Sequence, residues 1–292
     1  RPCHKTIQST TTSMEKEAEP ETHVADSEWG RTVQRLLSGP ADLAGRSRPC
    51  TPDEAKVLKQ MRTTFPDEKS LPDDELLRFL RARDFRLDAS VSLLQKAIEW
   101  RAKTAPQNIK LEAVRSIFDT GLFFVNGRDR AQRPIVWIFG NKYQKANRDV
   151  NVQGAIWALE YAISQLPPGE ESFTVVADLN GFGMSNIDSK WALTVMDFVQ
   201  NSYPERLSMV LLLHAPTAFW VLWKILKPFL AERTRNKFNF LGKDFATKLP
   251  DVMDPAHIPT NLGGKSTLTP QAWVQQELAS ADRTGAATGR AS

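Results

Sequence analysis

The chain has 292 residues, a formal net charge of +4 and 41% hydrophobic residues, enough for one large domain or a small one beside a larger one. No run approaches the roughly 20 apolar residues that span a bilayer. The two cysteines, Cys3 and Cys50, allow no disulfide framework and fit a reducing compartment. There is no zinc-ligand spacing, long basic helix or aromatic RNA-reading motif, so nucleic acid is not an expected partner.

The charge is uneven. Residues 14–30 hold six acidic residues against one lysine, a charge of −5, so the rest of the chain carries +9. A modest basic excess suits an anionic membrane surface. The chain opens on Arg1, and no apolar stretch of the secretory type follows it. Residues 1–50 are polar and rich in Ser, Thr, Glu and Gly, which predicts a disordered extension, with residues 33–37 as a short helix or docking peptide.

Thr51-Pro52-Asp53-Glu54 reads as a helix start, with a capping threonine, a proline at the first position and a glutamate at the third. Val57, Leu58 and Met61 form the apolar face of that helix. Pro72-Asp73-Asp74-Glu75 opens a second helix, with Leu76, Leu77, Phe79 and Leu80 inward and Arg78, Arg81 and Arg83 on the other side. Asp88 caps a third, with Val91, Leu94, Ile98 and Trp100 for packing. Together they predict a three-helix bundle over residues 51–105.

Two apolar runs, 121–125 and 134–139, flank a turn at Asn126-Gly127 and predict a hairpin. A helix over 152–166 stops at Pro167-Pro168-Gly169. Residues 173–179 read as a β-branched strand, and Ile187, Trp191, Val195, Phe198 and Ser202 mark one face of a long helix. The apolar run 209–213 suits a strand buried on both faces. Pro216 then sets the first turn of a helix. Phe219, Leu222, Trp223, Leu226 and Leu230 share one of its faces, and the adjoining face carries Trp220, Lys224 and Lys227. Trp beside Lys suits a lipid–water interface, because each has an apolar body and a polar tip. Another strand follows. Strands alternating with helices predict an α/β domain over 106–266. Residues 267–292 read as a flexible tail with a brief helix near 271–279.

No catalytic constellation emerges, and no enzyme is expected. Gly264-Lys265-Ser266 lacks the glycine a phosphate loop needs five residues earlier, where Pro259 stands. Ser185 is not flanked as in a nucleophile elbow. His4, His23, His214 and His257 show no metal-ligand spacing.

Residues 73–85, DDELLRFLRARDF, resemble the helical signature of CRAL-TRIO lipid-binding proteins. Tyr203-Pro204-Glu205-Arg206-Leu207, Ala215-Pro216 with Lys227-Pro228-Phe229-Leu230, and Asn261-Leu262-Gly263-Gly264-Lys265 resemble the Sec-fourteen type of phosphatidylinositol transfer protein. The resemblance runs over 51–266 in order and leaves out both tails. It implies a mixed β-sheet flooring an apolar pocket, flanking helices, and a gate helix over 216–230 carrying Phe219, Trp220, Leu222, Trp223, Leu226, Phe229 and Leu230. It carries the inositol-headgroup positions onto Arg83, Glu205, Arg206, Thr234 and Lys237, residue types suited to an inositol phosphate.

At the positions that face a choline lipid in other members stand Val125, Val136, Phe173 and Val175, with only Tyr161 keeping a hydroxyl. A phosphocholine would lack polar partners there. The second ligand is then a more apolar one, such as a sterol, or none, and Phe173 and Val175 cannot ligate haem iron. The resemblance implies a cytoplasmic, monomeric, peripheral carrier of phosphatidylinositol that meets membranes transiently and needs no cofactor beyond bound phospholipid. The alternatives are a lipid-regulated tethering module and a carrier of another hydrophobic molecule, such as a tocopherol or retinoid.

Overall fold

A computed structural model of the protein describes residues 28–38, 50–65 and 71–288. The disorder expected over 1–27 and 39–49 lies outside the described residues. Within the expected extension, α1 (Glu28–Ser38) is a formed helix that contains the short one expected over 33–37 and begins five residues earlier, which corrects the disorder expected over 28–32. It is docked on the body: Trp29 Nε1 donates to Asp251 Oδ2 at 2.7 Å, the Lys248 ammonium lies 5.1 Å from the Trp29 ring, and Val33 and Leu37 pack on the core.

The small bundle comprises α2 (Pro52–Thr64), α3 (Asp73–Arg81) and α4 (Leu87–Thr104). Thr51 and Glu54 close a reciprocal capping box. The apolar residues of the three helices make their own core around Met61, Leu76, Leu80 and Leu94. A buried ion cluster, Arg78 and Arg81 against Glu171, joins α3 to the larger body. Burial pushes the Glu171 carboxyl above its ordinary range, against the pull of the two arginines.

The larger body begins with α5 (Leu111–Asp119), a helix the sequence reading leaves unassigned. Then come β1 (Phe123–Arg128) and β2 (Pro134–Phe139), the expected hairpin. Next are α6 (Arg148–Ser164), β3 (Phe173–Asp178), α7 (Ser189–Asn201), β4 (Leu207–Leu213), α8 (Thr217–Leu226), α9 (Glu232–Arg235) and β5 (Phe238–Phe240). The sheet order is β1-β2-β3-β4-β5, antiparallel at the first pair and parallel thereafter. Strands added in chain order by right-handed crossovers put their connecting helices on one face. Accordingly α6, α7 and α8 all face the same side of the sheet and share a cavity with it. The gate helix is shorter than expected. The α-helix stops at Leu226 and a 3-10 turn covers Lys227–Phe229, because Pro228 has no amide hydrogen to continue the ladder.

The turn between β1 and β2 is held by a buried polar knot. Asp129 accepts from the amides of Ala131 and Arg133, each at 2.9 Å, and from the Thr174 hydroxyl at 2.7 Å. Arg133, fully buried, donates to the Ser208 hydroxyl at 2.5 Å and reaches the Leu37 carbonyl of α1 at 3.4 Å.

The last described elements are α10 (Phe245–Val252) and α11 (Pro270–Thr288). The flexible tail expected after residue 266 is instead a docked helix. Trp273 and Val274 are buried, and Trp273 packs within 6.1 Å of the Phe118, Trp157 and Tyr161 rings. Trp273→Ala is expected to cost about 3–5 kcal/mol, the range for a buried Trp truncated to Ala. Urea unfolding monitored by circular dichroism measures it.

Asp188 caps α7. Its Oδ1 accepts from the Trp191 amide at 3.0 Å, and its Oδ2 accepts from Arg148 Nε at 3.0 Å and the Tyr143 hydroxyl at 2.8 Å. Burial alone would raise the carboxyl's pKa, but these three donors outweigh it and hold the group below its ordinary value. A depressed folded-state pKa stabilises above the unfolded value and is lost as pH falls through the folded one. Asp188→Ala should therefore lower stability by about 1–2 kcal/mol at neutral pH. The gap from wild type should close below about pH 4, the unfolded carboxylate value, in urea midpoints taken from pH 7 to 3.

Candidate functional site: a polar cleft joined to an apolar cavity

The junction of the bundle with the larger body forms a cleft of about 940 Å³. Arg83 and Arg86 reach it from the end of α3, Asn201 and Gln200 from α7, Glu205 from the turn before β4, and Arg233, Thr234 and Lys237 from α9 and the turn after it. Four of the five residues singled out for a headgroup, Arg83, Glu205, Thr234 and Lys237, thus line one space.

Glu205 is the centre of its charge pattern. It takes Arg233 Nη1 on one oxygen at 3.2 Å and Lys237 Nζ on the other at 3.4 Å. Its backbone sits at φ +59°, a left-handed conformation that costs a non-glycine residue roughly 1–3 kcal/mol. Lys237 is buried and also donates to the Leu207 carbonyl at 2.6 Å. Burial lowers its pKa, and Glu205 opposes the shift. On the opposite wall, Arg83 donates to the Ala82 carbonyl at 2.9 Å and lies 3.4 Å from the Asn201 side-chain oxygen. Burial and the neighbouring Arg86 charge lower its pKa. Arg86 donates to the Arg83 carbonyl. Both guanidinium groups therefore bond to uncharged oxygens and keep charge in hand for an anion.

Arg206 does not join them. It turns the other way, donating to the Glu171 carbonyl at 2.9 Å within the ion cluster beneath α3. Burial and Arg78 push its pKa down to about 10. Arg233 and Arg86 line the cleft although the sequence reading did not single them out for it. Arg233 stands one residue before Thr234, but its approach to Glu205 depends on the four-residue helix α9. It also donates to the Arg81 carbonyl at 2.7 Å and to Asp84 at 3.0 Å, tying α9 to the bundle.

The second space lies between the sheet and the α6–α7–α8 layer. It is an almost wholly apolar cavity of about 200 Å³. Alternate strand residues face it: Val136 and Ile138 of β2, Phe173, Val175 and Ala177 of β3, and Val210 and Leu212 of β4. Phe219, Leu222, Trp223, Leu226 and Leu230 close it from α8 and the turn beyond, as their spacing predicts. Val136, Phe173 and Val175 thus line the cavity. Val125 pairs with Val136 across the β1–β2 register but is not among the lining residues, and neither is Tyr161. Tyr161 lies instead at the α6–α11 contact, stacked on Trp157 at 5.0 Å and bonded to Glu277. The cleft and the cavity meet at Met196, Val199 and Leu207, which line both.

The outer face of α8 is apolar as well. Trp220 is 41% exposed, with Val221 and Ile225 beside it, Phe240 stacked on it at 4.7 Å, and Phe229 62% exposed beyond the helix end. Lys224, Lys227 and Lys243 are exposed nearby. Phe229 thus lies on the cleft side and not among the cavity-lining residues. No helix among the described residues is long and apolar enough to cross a membrane.

Comparison with known proteins agrees with this architecture. The CRAL/TRIO domain family matches residues 118–264. The chain is 29% identical over 247 residues to the phosphatidylinositol/phosphatidylcholine transfer protein SFH11 of Arabidopsis thaliana, covering 74% of this chain and 65% of that one. It is 26% identical over 264 residues to the SEC14 cytosolic factor of Candida glabrata, covering 79% and 86%. Protein real-time of Anopheles gambiae is 28% identical over 241 residues, and there the chain spans only about a third of the relative, 35% of its length. The crystal structure of Sfh5 superposes with a TM-score of 0.60 at 18% identity, over 81% of this chain and 99% of that one, and shares the fold. With that match across half of its length and this fold, the chain belongs to the CRAL/TRIO family of lipid-binding proteins, among its Sec14-like members.

Proposed function

We propose that the chain binds phosphatidylinositol and carries it between membranes without chemical conversion, as a monomer of the cytoplasm that docks on membranes transiently. The observation that carries this reading is the meeting of a polar cleft, with Arg83 and Arg86 on one wall, and an apolar cavity at Met196, Val199 and Leu207. A molecule with an anionic, hydroxylated head and long apolar chains matches both spaces at once. Arg83 and Arg86 would seat the phosphate, and Thr234 and Glu205 would meet ring hydroxyls, with Lys237 behind them. Arg206 would act from beneath, through Glu171 and α3. The similarity to SFH11, a phosphatidylinositol/phosphatidylcholine transfer protein, supports the class of ligand.

At about 200 Å³ the cavity is smaller than the roughly 300–1,000 Å³ of ordinary ligand sites. Lipid chains therefore enter only if α8 moves outward. The exposed Trp220, Val221, Ile225 and Phe229 with Lys224 and Lys227 suit an anionic bilayer surface as the place where that happens. Transfer then needs only differential affinity of the open and closed forms for membrane and lipid. The apolar Val136, Phe173 and Val175 wall offers a phosphocholine no partner, so phosphatidylcholine is the poorer cargo.

Vesicle-to-vesicle transfer of labelled phosphatidylinositol and, separately, phosphatidylcholine tests this. Wild type should move phosphatidylinositol faster. Arg83→Ala, which removes no ion pair, should lose roughly tenfold or more in that transfer, the worth of a charge-assisted hydrogen bond. Absence of phosphatidylinositol transfer by wild type would overturn the reading.

Val199→Trp should narrow the junction of the two spaces. Transfer of phosphatidylinositol is expected to fall several-fold, while uptake of a purely apolar fluorescent probe into the cavity is retained.

A further inference from the structure

The chain leaving α8 has little helical structure of its own to hold it. The α-helical ladder stops at Leu226, Pro228 has no amide hydrogen to donate, and the 3-10 turn closes with the Leu230 amide on the Lys227 carbonyl at 3.3 Å. Leu230 is nevertheless extended, buried and part of the cavity wall, between the exposed Phe229 and Ala231. A side chain supplies the fastening. Gln200 Nε2 donates to the Phe229 carbonyl at 3.1 Å, and Gln200 Oε1 accepts from the Ala231 amide at 2.9 Å. A primary amide, with donor and acceptor side by side, suits this pair of partners. The two bonds straddle Leu230 and fix the main chain from which its side chain meets the cavity.

The fastening stands on a firm base. Gln200 is the penultimate residue of α7, and Phe198 just before it is buried, stacked on Trp100 of α4 at 5.9 Å and edge-on to Tyr203 at 6.2 Å. Beyond Ala231, α9 is tied to the bundle through Arg233. An outward swing of α8 must therefore bend the chain over residues 227–231, where Gln200 grips it. Both bonds lie exposed, so water can replace them. We propose that Gln200 is a positioning residue for ligand exchange: it latches the chain leaving α8 in the closed form, and release of its two bonds sets the rate at which the cavity loads and empties. The inference rests on the reading that α8 moves outward to admit lipid, and not on which headgroup occupies the cleft.

Such a latch has a kinetic signature. It is made in the closed form, loaded or empty, and broken on the way between the two, so it raises the barrier equally in both directions. Gln200→Met keeps the length of the side chain and loses both bonds. Stopped-flow fluorescence of the full chain follows the loading of a pyrene-labelled alkane from phosphatidylcholine vesicles and its return to them. Both rates should rise by roughly tenfold in the variant, the worth of two exposed neutral hydrogen bonds. The partition of the probe between protein and vesicles should stay within about twofold of wild type. Unchanged rates, or faster release alone with weaker partition, would overturn the inference.

Hydrogen exchange of the Ala231 amide, read by NMR, is the second measurement. The amide should be protected in wild type and lose roughly tenfold of that protection in Gln200→Met, while the amides of β3 and β4 keep theirs. An Ala231 amide that exchanges in wild type as fast as a free peptide would overturn the proposal as well. If wild type takes up no probe at all, the lipid-binding reading of the cavity falls, and the latch with it. Uptake at equal rates in the two proteins fails the Gln200 inference alone.

Discussion

The cavity depends on an aromatic clamp between α8 and the edge strand β5. Trp223 lies 4.9 Å from Phe238, Trp220 is stacked on Phe240 at 4.7 Å, and Phe219 reaches both Phe240 and Phe182. A space with an apolar wall is costly to keep open, because its lining atoms lose dispersion contacts on one side. Here the helix that would collapse into it is seated on rings at the sheet's edge and beyond the end of β3. Each such pair contributes about 0.5–1.5 kcal/mol beyond its buried area. That is enough to seat α8 against the edge of the sheet.

The polar side follows a different logic. Glu205 pairs two cations and leaves two arginines on the facing wall to uncharged oxygens. Glu205 and Asp84 thus brace Arg233 and Lys237, Asp197 accepts from Asn201, and Arg83 and Arg86 stand on the bundle side. The ion cluster of Arg78 and Arg81 with Glu171 holds the bundle against the body, so it positions that charge without touching the cleft. A polar space and an apolar one thereby meet along one face of α7.

Much of this was legible in the sequence. α8 announces itself through Pro216 and an unbroken 3.6-residue apolar period, and the cavity-facing strands through apolar runs that only a sheet buried on both faces would need. The resemblance covered the body and brought Arg83, Glu205, Thr234 and Lys237 to one cleft. What stayed hidden depends on direction and distance. Glu205 and Arg206 are neighbours in the chain, but the left-handed backbone at Glu205 sends the two side chains to different sites. The brief helix expected near 271–279 is there, but its docking stayed hidden, because Trp273 and Val274 are isolated apolar residues in a polar stretch and their partners on α5 and α6 are more than a hundred residues away. Tyr161 was read as a pocket residue, but α6 is apolar nearly all round, and its far side faces α11.

The attachment of α1 also bears on how the molecule opens. Strands laid down in chain order close modest loops, whereas the bond from Trp29 to Asp251 spans 222 residues. Such a contact can form only after the body it docks on exists, and its rupture leaves every sheet pairing intact. Local opening follows the units with the fewest buried contacts. α1 is therefore the part of the fold that exchanges its amide hydrogens early, ahead of the sheet. When it leaves, Arg133 gives up the Leu37 carbonyl but retains Ser208, Asp129 and Glu170. The N-terminal segment is thus a fastening that can be undone without unmaking the site it rests against.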